Sequence, residues 1–151
     1  MNLSPHFTFD ELTRTGQTAL QTVNRQEAQA CMGALTALAT TVLEPIRAKF
    51  GAVKVNSAFR GPALNAAVNG SKSSQHLSGQ AADIVVPGVA LEEVFRWIVK
   101  ESGIPFGQAI LEGPNGKVSW IHVSLGEPYR PLAKSRQALT WDGKTYAPWK
   151  G

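Results

Sequence analysis

The N-terminal third of the chain has the apolar spacing of helices. Between residues 25 and about 50, apolar side chains recur at intervals of three and four residues, which predicts a long amphipathic helix. Asn24 and Glu27 have the spacing of a capping box, so we expect this helix to begin there. Thr8 also precedes a glutamate by three residues, and this second capping-box spacing predicts an earlier, shorter helix. Pro45 lies inside the long segment and is expected to kink or split it.

Beyond residue 50, strand patterns alternate with shorter helical ones. Apolar runs or strict alternation predict strands at residues 52–59, 82–86, 106–112 and 118–125. Helical spacing predicts helices at residues 62–68 and 91–102. Asn115-Gly116 predicts a hairpin between the last two strands, and the final 25 or so residues are predicted to be irregular with one short strand. This order of elements predicts an α+β domain in which helices flank a small antiparallel sheet.

Composition restricts the classes of function. With 151 residues, 43% of them hydrophobic and 17% charged, the chain suits one globular domain spanning residues 1–151. The N-terminus lacks a signal-peptide pattern, and no stretch approaches the roughly 20 apolar residues of a membrane span, so we expect synthesis in the cytoplasm. The net charge of +4 fits either simple solubility or attraction to a polyanion. Because the basic residues are scattered, we do not expect nucleic acid as a partner.

The histidines are the candidate metal ligands. His76 lies in a Gly/Ser-rich loop and Asp83 begins the next predicted strand, so a loop folded back on this strand would bring both side chains to one ion. A third ligand must come from elsewhere, and His122, in the last of the four strands listed above, is the candidate. His6, beside a proline, is expected to be a cap or packing residue. Spacing alone leaves open that His76 is an exposed surface residue and that His122 is half-buried with its hydrogen bonds met.

A wider pattern, SxHxxGxAxD followed by Trp-x-His, is formed by Ser74, His76, Gly79, Ala81, Asp83, Trp120 and His122. This pattern resembles the M15 family of zinc peptidases, which comprises D-Ala-D-Ala carboxypeptidases and relatives among bacteriophage endolysins. The segments LSPHFTFDELTRT, VNSAFRGPALNAAVNGS and PFGQAILE agree with it, so the resemblance covers roughly residues 3–125. It implies a fold like that of hedgehog and the D-Ala-D-Ala carboxypeptidases, and a zinc ion held by His76, Asp83 and His122.

The resemblance also implies roles for residues around the zinc ion. Arg60 matches an arginine that contacts the substrate near the scissile carbonyl or its carboxylate; the alternative is a solvated surface charge. Ser74 matches a hydroxyl on the substrate side, although an ordinary loop serine is the alternative. Trp120 is expected to pack beside the site as a substrate-binding residue or to be a core aromatic.

The general base is where this sequence departs from many relatives. They have a glutamate three residues before the last histidine ligand, and here that position is Ser119, whose hydroxyl cannot act as a base near neutral pH. Glu112 is the remaining candidate, the alternative being an exposed carboxylate at the end of a strand. A two-residue turn at Asn115-Gly116 would pair Glu112 with Ser119 and point it away from His122. A three-residue loop would pair Glu112 with Val118 and place it on the face of His122, as the proposed chemistry requires.

The resemblance implies a zinc-dependent murein peptidase that hydrolyses an amide bond in the peptide stem of peptidoglycan. An endolysin-type DD-carboxypeptidase and an L-Ala–D-Glu endopeptidase both fit. We expect a monomer without a separate wall-binding domain, which reaches the cell wall through a separately made pore. The rival hypothesis is a non-catalytic module on the same scaffold that holds zinc and binds the wall or forms part of a virion; Ser119 keeps it open.

Overall fold

The computed structural model describes residues 1–71 and 73–151. Its α-helices are α1 (Phe9–Thr13), α2 (Gln21–Ala28), α3 (Met32–Leu38), α4 (Glu44–Phe50), α5 (Pro62–Ala67) and α6 (Leu91–Lys100). Its strands are β1 (Asn2–Ser4), β2 (Phe7–Thr8), β3 (Lys54–Ser57), β4 (Ala81–Val85), β5 (Phe106–Glu112), β6 (Trp120–Leu125), β7 (Gln137–Trp141) and β8 (Tyr146–Pro148). Short 3₁₀ turns occupy Thr18–Leu20, Gln29–Cys31, Gln75–Ser78 and Leu132–Lys134, and a π turn occupies Ala39–Leu43. Within the described residues, no helix is both long and apolar enough to cross a bilayer.

The main sheet has six strands in the order β3-β4-β6-β5-β7-β8, and β1 and β2 form a separate antiparallel pair. Helices and sheet together confirm the predicted α+β class. The predicted antiparallel pairing holds except between β5 and β7, which run parallel. The expectation of an irregular C-terminus with one short strand was wrong, because that segment supplies both β7 and β8. Strand β7 is stabilised by pairing with β5 and β8 by pairing with β7, and local sequence patterns do not reveal either pairing.

The two faces of the six-stranded sheet have different surroundings. One face packs against α3 and α6 and carries apolar core side chains. On the central strands these are Ala82, Ile84, Ala109, Leu111, Ile121 and Val123. The alternate residues Asp83, Glu112 and His122 point to the opposite face, as the two-residue period of a strand requires. Burial of the apolar positions therefore determines which face carries the polar side chains.

The predicted long helix is present as a series of shorter turns. It begins at Gln21, earlier than predicted, and a 3₁₀ turn and a π turn separate α2, α3 and α4. Pro45 lies in the first turn of α4, directly after the π turn, which is consistent with the predicted disturbance at this proline. The predicted cap at Thr8 is confirmed, since its hydroxyl accepts a hydrogen bond from the Glu11 amide at 3.1 Å.

Asn24 lies inside α2 and is fully buried, so the prediction that it caps the helix was wrong. Its Nδ2 donates to the backbone oxygens of Thr13 and Phe59 at 2.9 and 3.3 Å, and its Oδ1 accepts from the Gly61 amide at 2.7 Å. These bonds tie α1 and α2 to the backbone on both sides of Arg60. The local capping pattern is overridden here by hydrogen bonds to distant segments.

We expect Asn24→Ala to lower the free energy of unfolding by about 2–4 kcal/mol, because Phe59 O and Gly61 N lose a partner in a buried setting. Urea denaturation followed by circular dichroism measures the loss. The matched control is Asn56→Ala on the exposed surface of β3, for which we expect a change within about 0.5 kcal/mol. Equal losses in the two variants would contradict the structural role of Asn24.

Candidate metal centre

Three elements bring the candidate ligands together. Asp83 on β4 and His122 on β6 are direct partners in the antiparallel pairing of these strands, so their side chains lie side by side on the polar face. His76 lies in the 3₁₀ turn Gln75–Ser78, which covers this part of the sheet. His76, Asp83 and His122 form the cluster that the structure offers to a metal ion, with one ligand atom of each within 4.8 Å of the others.

The turn that carries His76 is held at both ends. Its N-cap is Ser74, whose hydroxyl accepts a hydrogen bond from the His76 amide at 3.2 Å. It ends at Gly79, which has a φ of +70°, and a Cβ there would lie 3.0 Å from Cγ of Leu35. A side chain at this position would therefore meet both backbone strain and the core. The Arg60 amide also donates to the carbonyl of His76 at 3.0 Å, which joins the turn to the segment after β3.

The distances within the cluster fit a tetrahedral metal site. Asp83 Oδ1 lies 3.3 Å from His76 Nε2 and 3.1 Å from His122 Nδ1. Ligand atoms placed tetrahedrally around zinc at about 2.0–2.1 Å are roughly 3.3 Å apart, which is close to both separations. Two imidazoles and one carboxylate are also a usual protein donor set for a catalytic zinc ion.

The hydrogen bonds of the two imidazoles direct their free lone pairs toward the carboxylate. His76 Nδ1 faces the carbonyl oxygen of Ala58 at 2.6 Å, which keeps the ring proton on Nδ1 and leaves a lone pair on Nε2. His122 Nε2 faces Gln75 Oε1 at 3.4 Å, so its lone pair is on Nδ1. Both lone pairs and Asp83 Oδ1 then converge on the same place. The two ring nitrogens and the carboxylate oxygen repel one another unless a proton or a metal cation lies between them.

The Asp83 carboxyl is strongly acidic in this setting. Burial alone would raise its pKa, but when the ring nitrogens that face it carry protons, the hydrogen bonds and positive charge of His122 and His76 outweigh burial and hold the pKa well below its usual range. Asp83 therefore remains ionised at neutral pH. An ionised carboxylate supplies the anionic oxygen that a divalent cation requires.

Glu112 lies in the same pocket as this cluster. The structure pairs it with Trp120 rather than with Ser119 or Val118, so the loop is longer than either predicted turn. This register keeps the carboxylate on the face of His122, which the two-residue turn would not. Trp120 Nε1 donates to Glu112 Oε1 at 2.6 Å, and burial raises the pKa of this carboxyl above its usual range. Trp120 thus contacts Glu112 directly instead of only packing beside the site.

Arg60 and Ser74 form a hydrogen-bonded pair in the pocket wall. Arg60 Nη2 donates to Ser74 Oγ at 3.2 Å, while its Nε is buried without a partner among the described residues. Arg60 is therefore half-buried and oriented, unlike a freely solvated surface charge. Ser74 contacts both Arg60 and the turn of His76, so it connects two parts of the site.

Sequence reasoning missed the opposite wall of the pocket, which the C-terminal segment provides. Arg130, Trp141 and Tyr146 line it together with Gln108 on β5. The rings of Trp141 and Tyr146 are 6.1 Å apart, and Trp141 is the neighbour of Glu112 across the parallel strand pair. Burial and then the charges of Glu112 and Asp83 raise the pKa of the Tyr146 hydroxyl. The only sequence signal was a pair of aromatic residues in a segment whose local pattern predicts little structure.

Curated proteins give no significant match to the chain. Residues 5–124 match the family model described as Peptidase M15, and this range is well over half of the 151 residues. It includes His76, Asp83 and His122 as well as Glu112, so the resemblance noted in the sequence is confirmed. The chain belongs to the peptidase M15 family of zinc-dependent metallopeptidases.

Proposed function

We propose that this M15 peptidase is a murein peptidase that hydrolyses an amide bond in the peptide stem of peptidoglycan. The observation that carries the proposal is a glutamate of raised pKa in the same pocket as two imidazoles and a carboxylate whose lone pairs converge. An endolysin-type DD-carboxypeptidase and an L-Ala–D-Glu endopeptidase both suit this arrangement. The net charge of +4 favours approach to the anionic polymers of a cell envelope.

His76, Asp83 and His122 would hold the zinc ion. Three protein ligands are the number typical of a catalytic site, in which a further position is left for water or substrate. When bound, zinc supplies Lewis-acid polarisation of the scissile carbonyl and makes water more acidic. The hydrogen bonds to Ala58 and Gln75 fix the two ring orientations, so the ligands need little rearrangement.

Glu112 would serve as the general base and then as the general acid. It accepts a proton from the attacking water and donates it to the leaving amine. The hydrogen bond from Trp120 holds one carboxylate oxygen in place, and burial strengthens the carboxylate as a base. In many relatives this role belongs to a glutamate at the position of Ser119, and in this chain Glu112 would take it over.

Arg60 would stabilise negative charge on the substrate. Its guanidinium is oriented by Ser74 and has further N–H groups that can donate to the developing oxyanion or to a substrate carboxylate. The turn of His76 and the arginine share Ser74, so the position of the arginine is coupled to that of the metal ligand. We assign Ser74 mainly to this positioning and Trp120 to the positioning of Glu112.

We expect the purified protein to hold about one zinc ion per chain, and His122→Ala to weaken zinc binding by more than about 100-fold. Elemental analysis and chelator competition measure both values. His6→Ala is the matched histidine control, because His6 pairs with Glu44 at 2.8 Å and lies outside the cluster. Unchanged zinc binding in the His122 variant, or no zinc binding by the native chain, would refute the ligand assignment.

We expect Glu112→Gln to lower kcat on murein by about 10²–10⁴-fold while zinc remains bound, because the amide cannot accept the proton. Mass spectrometry of soluble fragments from purified murein measures the rate and identifies the cleaved bond. The control Glu93→Gln changes an exposed glutamate of α6 and should leave the rate unchanged. Full activity of the Glu112 variant would exclude it as the base. A zinc-loaded native protein that releases no fragments would favour the non-catalytic rival.

A further inference from the structure

Arg130 lies in the pocket wall but outside the family match, which ends at residue 124. It is half-buried and follows β6 in the segment that leads to β7. The metal ligands on β4 and β6 lie between the segment of Arg60, which follows the edge strand β3, and β7 on the other side. The pocket therefore has an arginine on each side of the candidate metal centre.

The guanidinium of Arg130 is held in a defined orientation. Its Nε donates to the carbonyl of Lys134 at 2.5 Å, and its Nη2 donates to Gln137 Oε1 at 3.1 Å. Gln137 Oε1 also accepts a hydrogen bond from Nε2 of Gln108 at 3.0 Å, so a side chain from β5 helps to fix the group. An arginine has five N–H donors, and these contacts use two of them. The other three N–H groups take part in neither of these contacts, and the side chain that carries them lines the pocket.

The stem of Arg130 lies close to the sheet because Gly107 leaves space for it. A Cβ at Gly107 would lie 2.8 Å from Arg130 Cδ. It would also lie 2.5 Å from the carbonyl oxygen of Leu125, so the close approach of the backbone needs a glycine as well. The arginine is consequently packed against β5 as part of the built wall and does not extend freely into solvent.

The sheet gives an approximate distance between Gln137, the hydrogen-bond partner of Arg130, and the candidate ligand His122. Arg130 contacts Gln137, which lies on β7 and pairs with Gln108 on β5. Strand β7 is two strands away from β6, which carries His122. With about 4.8 Å between strands and about 7 Å between same-face residues, Gln137 and His122 are roughly 12 Å apart. An extended peptide covers about 3.3–3.6 Å per residue, so this distance corresponds to roughly three residues.

We propose that Arg130 is a specificity-determining residue that binds a substrate carboxylate roughly three residues from the scissile bond. The proposal rests on the proposed function and narrows its substrate class to peptides that carry an acidic group at this distance. A carboxylate fits because a planar guanidinium with two free N–H groups binds its two oxygens in parallel. Arg60 would bind the oxyanion or a carboxylate of the substrate on the other side of the metal centre. The two arginines together would then fix the direction of the peptide in the pocket.

The test uses stem peptides that are identical except that one carboxylate at a time is replaced by a carboxamide. For the zinc-loaded native protein, we expect amidation at one position to lower kcat/KM by about 10- to 100-fold. In Arg130→Met this difference should vanish, because the free acid is then cut no faster than the amide. Arg130→Lys keeps the charge without the planar fork and should retain only part of the preference.

The preference ratio separates recognition from a structural role. If Arg130 only supported the C-terminal segment, its loss would slow cleavage of the acid and the amide equally and leave their ratio unchanged. Arg14→Ala removes an exposed positive charge away from the pocket and should keep the native preference. An amidation effect that disappears in Arg60→Met but persists in Arg130→Met would overturn the assignment.

Calorimetric binding of the same peptides to the zinc-loaded Glu112→Gln protein tests Arg130 independently of cleavage. We expect the free acid to bind about 10-fold or more tightly than the amide, and Arg130→Met in this background to remove the difference. Cleavage without any preference for a carboxylate would overturn the role of Arg130 and leave the murein peptidase intact. Preferential binding without cleavage by the native protein would overturn the peptidase proposal and leave the role of Arg130 intact.

Discussion

Three lone pairs directed at one place form the constraint on which the candidate site depends. His76 Nε2, Asp83 Oδ1 and His122 Nδ1 would repel one another without a cation or a proton between them. The fold nevertheless holds them there, since Asp83 and His122 are partners on central strands and His76 is in a capped turn. Such an arrangement would cost free energy in the metal-free protein, and binding of a metal ion would offset that cost.

The parts of the fold that the sequence predicted depend on local patterns. Apolar runs predicted the strands that became β4, β5 and β6, but the face of Glu112 stayed open between two turn lengths until the register of β5 and β6 placed it beside His122. The three candidate ligands could also be predicted from the sequence. His76 lies in a loop directly before β4, and the family resemblance indicated His122 as the third ligand. Strand patterns and family motifs both lie within short segments of the chain, and the tertiary structure keeps the local structure that they predict.

The parts that the sequence did not predict depend on contacts between distant segments. Asn24 has the local spacing of a cap, but its buried amide bonds to the backbone around Arg60 instead. The Asn-Gly pair favours a tight hairpin, yet residues 113–119 connect β5 to β6, and the Gly113 amide donates to the carbonyl of Trp141. The register of Glu112 is therefore tied to β7, a strand that local patterns do not reveal.

The sheet divides the site between its central strands and its C-terminal edge. The candidate ligands Asp83 and His122 lie on β4 and β6, which have neighbours on both sides, and Glu112 lies on β5 between β6 and β7. The walls that a substrate would meet farther from the metal come from β7, β8 and the segment of Arg130, beyond the family match. The residues that would select the substrate are thus carried by a different part of the chain from those that would hold the metal ion.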